Sequence, residues 1–193
     1  MSPVRRLLLS LAVAAAVAGA ACGDPPEKEM QQAQGAIDAA RAAGADQYAR
    51  TEFAAAEDAL KRAHEAVDER DYRAALNAAL DARERAQTAA KDTVNAKATA
   101  RVDAEKALAA ASAALGEARA RARLESGRAS ARALAAARRA ISDDESAVQE
   151  ARTAFEHGDY LASIDKAKAA TARLRASTHD LEAATSTAGH RRR

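Results

Sequence analysis

The sequence predicts an all-α fold of elongated antiparallel helical hairpins with one long helix, and three observations carry that prediction. No proline follows Pro26, so nothing in the remaining chain removes a helical N–H donor. Alanine, the best helix former, supplies 61 of the 193 residues, and charged residues make up a further 30%. Apolar positions recur at alternating spacings of three and four, as on a helix with one buried face. The same composition bounds the core. Aromatic residues are only 3% and tryptophan is absent, so burial rests mostly on methyl groups that each cover little area. Slender helix pairs suit such a chain better than a globule with a deep ligand pocket.

Residues 1–21 read as an export signal. Arg5 and Arg6 precede a run from Leu7 to Ala18 that is apolar except for Ser10, and Gly19, Ala20 and Ala21 then lead into Cys22. This is the three-part layout of a secretory signal peptide. The run is too short for a good membrane span, an uncleaved anchor being the other reading. Arg5-Arg6 also hints at twin-arginine export. Cys22, the only cysteine, resembles the lipidated acceptor of bacterial lipoproteins, although Gly19 stands where such sequences usually carry a larger aliphatic residue. An ordinary cleavage site beside a lone thiol is the plainer alternative. Lipidation would tether the body to a membrane, each buried acyl methylene contributing about 0.8 kcal/mol. Gly23, not an aspartate, follows the cysteine, so the resemblance implies an outer membrane facing the periplasm before an inner one. Residues 22–26 form a short tether ending in Pro25-Pro26. Without residues 1–21 the chain has 30 − 2 = 28 basic residues against 28 acidic ones.

Residues 27–100 form the first helical-hairpin unit. Breaks are expected at Gly44-Ala45-Asp46, around Arg70-Asp71, at Ser126-Gly127 with Ser130, and at His157-Gly158-Asp159, giving about five helices. Phe53, Ala56, Leu60, Ala63 and Val67 mark one buried face; Tyr72, Leu76, Ala79, Arg83 and Ala86 mark the return face. So short a turn requires the two helices to lie antiparallel. From Tyr72 to about Leu124 only Gly116 interrupts, and one helix of that length would run about 80 Å. Leu80, Val94, Leu108 and Leu115 fall at multiples of seven, as do Ala90, Ala104, Ala111 and Ala118, which points to irregular coiled-coil-like packing.

Residues 101–140 read as an arginine-rich connector, 141–187 as a second helical-hairpin unit, and 188–193 as a basic tail. Placing Asp71-Tyr72 on Asp159-Tyr160 aligns Phe53–Gln87 with Ile141–Arg175, with ten identities in 35 positions, six of them alanine. Glu57 meets Glu145, Arg85 meets Arg173, and Leu60, Val67 and Leu76 meet Val148, Phe155 and Ile164. A duplicated hairpin is expected, against convergence of two alanine-rich helices. In the turn, Gly158 suits a positive φ, His157 the negative helix end, and Asp159 the cap of the next helix.

The run Ala43-Gly44-Ala45, Tyr48-Ala49, Phe53, Ala56, Leu60, Ala63, then Asp71-Tyr72, Ala75, Ala79 and Ala82 resembles the bacterial lipoprotein family called domain of unknown function 4398, over roughly residues 30–100. It departs at Arg50, where the family pattern has a proline, and at Arg70, where it has a glycine. Phe155-Glu156-His157-Gly158-Asp159-Tyr160, with Ala162 and Ile164, is similar to the inter-helix turn of a tetratricopeptide repeat, but an offset of 88 is far from that family's 34-residue period. The family resemblance implies an envelope lipoprotein and no activity.

Chemistry-bearing motifs are few. His64-Glu65 with Asp68 lacks the second histidine of a metalloprotease helix, and Ser142-Asp143-Asp144-Glu145 reads as a capping box. Carboxylates alternate with arginine as solvated pairs, with no desolvated acid–base pair expected. Tyr48, Phe53, Tyr72, Phe155 and Tyr160 are read as packing or interface residues, with a ligand-binding aromatic face as the alternative. Gly116–Ala140 carries seven arginines against two glutamates, and Ile141–Asp159 six acids against one arginine. Charge matching between antiparallel neighbours is one reading. The other is an anion-binding stripe of Arg119, Arg121, Arg123, Arg128 and Arg132 for phospholipid, lipopolysaccharide or an acidic partner. Export and the lack of aromatic interleaving argue against nucleic acid. The expected function is an envelope-anchored, non-enzymatic adaptor or spacer with no metal, cofactor or small-molecule substrate, binding an envelope protein or itself. The alternative is a binding protein for an anionic lipid or cell-wall ligand.

Overall fold

The computed structural model describes residues 24–190, with side chains described through Thr187; the signal segment, Cys22 and the three terminal arginines lie outside the described residues. Every regular element among the described residues is helical. The α-helices are α1 (Glu27–Ala43), α2 (Ala45–Tyr48), α3 (Arg50–Asp68), α4 (Tyr72–Leu124), α5 (Ala131–Glu156) and α6 (Tyr160–His190), with a 3-10 turn at Glu125–Gly127. All four expected breaks occur. A fifth, at Ala49, separates α2 from α3 through a non-helical φ of −135° and raises the count to six helices. Gly116 does not interrupt α4, because its side is open to solvent and one glycine costs a helix only about 1 kcal/mol.

Two compact units divide between Val94 and Asn95. In the first, α1 and α3 run antiparallel and the first half of α4 returns against them. Ile37, Phe53 and Leu60 are its large buried side chains, and alanines 33, 40, 56, 59, 63, 79, 82, 86 and 89 fill the rest. Phe53, Ala56, Leu60 and Ala63 are buried as the spacing requires. On α4 the buried stripe is turned from the expected one: Ala75, Ala79, Ala82, Ala86 and Ala89 face inward, while Leu76 and Leu80 are 36% and 37% exposed. Helices that meet through methyl groups can approach closely, which leaves no room for leucine on that face.

The second unit packs the latter part of α4 against the α5–α6 hairpin. Ala107, Ala111, Val148, Ala151, Ala167 and Ala170 make one cluster. Leu115 with Leu174, and Ala122 with Leu181, continue the core along the helices. Residues 101–124 are therefore core-forming here, although the composition sets 101–140 apart as a connector. The seven-spaced leucine row splits accordingly, with Leu115 buried and Leu80 and Val94 exposed.

The two inter-helix turns share their hydrogen bonds. Asp71 N donates to Ala66 O at 2.9 Å and Arg70 N to Val67 O at 2.9 Å; Asp159 N donates to Ala154 O at 2.9 Å and Gly158 N to Phe155 O at 3.0 Å. Both aspartates cap the following helix, Asp71 Oδ1 accepting from Ala74 N at 2.9 Å and Asp159 Oδ1 from Ala162 N at 3.2 Å. Burial repeats at the same offset. Ala56, Leu60, Ala63, Ala75, Ala79, Ala82 and Ala86 are buried, and so are Asp144, Val148, Ala151, Ser163, Ala167, Ala170 and Leu174.

Candidate functional site

The arginine-rich segment folds back on itself. Ser126 and Gly127 close a 3-10 turn, and the Ser130 hydroxyl accepts from Ala133 N at 3.2 Å to start α5. This cap corrects the reading of Ser142–Glu145 as a capping box: those residues lie inside α5, where every backbone N–H already has a helical partner. Their carboxylates serve the neighbouring helices instead. Asp144 is 2% exposed and accepts from Arg173 Nε at 2.6 Å. It is a desolvated acid paired with a base, contrary to the expectation of none. Glu145 pairs with Arg119, which holds its carboxyl below the usual range, first through the hydrogen bond and then through the guanidinium charge.

Of the five stripe arginines, the structure pairs Arg119 with Glu145 and Arg121 with Glu182, the latter at 2.8 Å. Arg123, Arg128 and Arg132 are exposed and make no ion pair among the described residues. Arg119, Ala122, Arg123 and Ser126 form one ridge of the α4 end, and α5 brings Arg138 and Ile141 to face it across an open groove of about 330 Å³. Arg121 leaves this ridge for α6. The sequence reading missed Arg138 and Ser126, because Arg138 lies 138 − 123 = 15 residues beyond Arg123 and only the antiparallel return of α5 brings it back.

Charge matching across antiparallel neighbours is present in both units. Arg41 meets Glu57 at 2.6 Å, Arg62 meets Asp81 at 3.3 Å, and Arg85 bridges Asp81 and Glu52 at 2.9 and 3.4 Å. The Asp81 hydrogen bond, followed by its charge, raises the Arg85 pKa further. In the second unit Lys166 meets Glu150 and lowers that carboxyl's pKa, mainly through the hydrogen bond.

The aromatic residues are distributed, not gathered into one face. Phe53 is buried in the first unit under the Arg41 guanidinium, which lies 5.3 Å from its ring centroid. Tyr48 and Tyr72 are half-buried at helix ends in that unit. Phe155 and Tyr160 close the second hairpin with ring centroids 5.4 Å apart, tilted by 58°. His64, Glu65 and Asp68 border an open groove with Arg41 and Lys61, and no group of three or more metal-ligating side chains occurs among the described residues. No described helix is long and apolar enough to cross a membrane.

Residues 28–105 match the family model Domain of unknown function (DUF4398). The match takes in the first unit and the opening of the second, in line with the resemblance carried by Ala43-Gly44-Ala45, Phe53 and Asp71-Tyr72. No curated protein and no solved structure matches the chain.

Proposed function

We propose that this protein is an envelope-anchored, non-enzymatic helical adaptor or spacer, exported by residues 1–21, lipidated at Cys22, and built on a duplicated hairpin whose turn is locally similar to that of a tetratricopeptide repeat. An outer membrane facing the periplasm is its proposed location. The observation that carries the adaptor reading is the inverted use of apolar side chains on α4, which buries Ala75, Ala79 and Ala82 and leaves Leu76 and Leu80 one turn apart in partial contact with water. Full burial of a leucine contributes about 1.5–3 kcal/mol, and with Leu76 and Leu80 36% and 37% exposed a partner helix covering the pair gains roughly a third of that from each. The grooves between the helices are open, which suits recognition along helix faces better than enclosure of a substrate.

The test is photo-crosslinking in intact cells from a reactive residue placed at Leu80, compared with one placed at Asn77, together with the Cys22→Ser chain. A specific envelope protein captured from position 80 and lost in Cys22→Ser supports the anchored adaptor. Capture of the same chain alone points to a self-associating spacer. Crosslinks that do not distinguish the two positions overturn the Leu76–Leu80 face as the docking surface.

A further inference from the structure

We propose that the groove lined by Arg119, Arg123, Ser126 and Arg138 is a binding site for a phosphate-ester anion. Four other grooves between the helices each carry a carboxylate on their own walls: Asp103 beside Lys106, Lys168 and Arg175, Glu150 and Asp159 beside Lys166, Asp180 beside Arg173, and Glu57, Glu65 and Asp68 beside Arg41 and Lys61. The arginine groove has none on its walls. Its one associated acid, Glu145, holds Arg119 through Nη2, which fixes that guanidinium while leaving its Nε and Nη1 edges for another acceptor. Arg123 and Arg138 make no ion pair among the described residues. Three guanidinium groups against one carboxylate leave a net charge of +2, the same balance as in the Asp103 groove, but here every charge on the walls themselves is positive.

Helix electrostatics account for only part of the positive charge in and around this groove. Arg123 lies in the last turn of α4, where a cation suits the negative end of the dipole. Arg128 and Arg132 flank the start of α5, the positive end, and no acid occupies its first turn. A chain selected only for helix stability would place acids there. The arginines raise the local potential around the groove instead.

The chemistry favours a phosphate oxyanion. Guanidinium forks donate two parallel N–H bonds to phosphate oxygens, and arginines spaced i,i+4 on α4 with a third opposite on α5 can approach one tetrahedral group from two sides. The Ser126 hydroxyl lies on the same wall. Its one proton is donated to Arg123 O at 2.8 Å and is not offered to an anion, so the arginines carry the attraction. Ala122 and Ile141 provide an apolar wall against which the carbon skeleton of an ester can rest. A volume of about 330 Å³ admits a head group and is too small for a helix. The shared chemistry, a phosphate ester, can come from a phospholipid head group or from a soluble ester. This site stands independently of the adaptor reading.

The experiment uses the full chain at low salt with two probes: glycerol 3-phosphate by calorimetry, and phosphatidylglycerol vesicles by flotation against phosphatidylcholine vesicles. The Arg123→Gln/Arg138→Gln variant should bind at least about 10-fold more weakly to whichever probe the native chain prefers, with helix content unchanged by circular dichroism. The Arg128→Gln/Arg132→Gln variant, off the groove walls, should lose less. Preference for vesicles identifies a lipid source and preference for glycerol 3-phosphate a soluble one. Binding of neither probe, equal binding by the native chain and the groove variant, or a groove-dependent affinity for an acidic peptide alone overturns the proposal.

Discussion

Arg70 and Gly158 hold the same left-handed backbone position in two turns 158 − 70 = 88 residues apart, with φ of 61° and 80°. Each is followed by an aspartate that caps the next helix. An L-residue with a side chain is strained in this region by about 1–2 kcal/mol, whereas glycine is not. Arg70→Gly should therefore stabilise the chain by about 0.5–1 kcal/mol, net of the flexibility glycine adds to the unfolded state. Gly158→Ala should lower stability by about 1 kcal/mol. No atom beyond the adjoining residues lies within 4 Å of the added methyl, so the loss would be backbone strain and not a clash. Urea denaturation midpoints check both signs.

The Asp144–Arg173 pair occupies a place that the first hairpin fills with an alanine, since Ala56 is its counterpart at the same offset. Arg173→Met leaves a nearly buried carboxylate without its partner and should cost about 1–3 kcal/mol, the lower range for such pairs because the arginine itself is 55% exposed. Adding Asp144→Ala should recover most of the loss, because an alanine at that position needs no partner. A double-mutant cycle by thermal or urea unfolding reads the coupling. An additive cycle would show that the pair contributes nothing.

Acid should weaken the second unit through Glu145 and Glu150. Hydrogen bonds from Arg119 and Lys166, and then the cationic charges, lower both folded-state pKa values below the ordinary carboxyl value of 4.5. A depressed folded pKa gives a contribution that is fully present above the unfolded value and is lost as pH falls through the folded one. Stability should thus decline as pH drops below about 4.5. The Glu145→Gln/Glu150→Gln chain should show a shallower decline over the same window. Denaturation midpoints collected from pH 7 to pH 3 decide the matter, and high salt should reduce the difference because both pairs are exposed.

Much of the helical layout was legible because its signals are local. The Asp159 cap, the left-handed Gly158, and the breaks at Gly44 and Arg70-Asp71 each depend on a few neighbouring residues. The break at Ala49 was not legible, since alanine carries no turn chemistry of its own. The site was legible only as a composition: seven arginines in a short stretch marked the region without saying which of them converge.

By itself the sequence determined the helical class, most of the helix breaks, the recurrence at 88 residues and the sign of charge along each stretch, because backbone propensity, capping and periodicity act within a few residues. Tertiary packing decided which face of α4 turns inward, since close approach through alanine methyls excludes leucine from that face. It also converted the apparent capping box at Ser142–Glu145 into partners for Arg119 and Arg173, took Arg121 to Glu182, and carried Arg138 back to Arg119 and Arg123. Those outcomes depend on the rotation of one helix against another. In an alanine-rich chain that rotation is weakly written in the sequence, because a methyl group looks much the same on every face until a neighbour covers it.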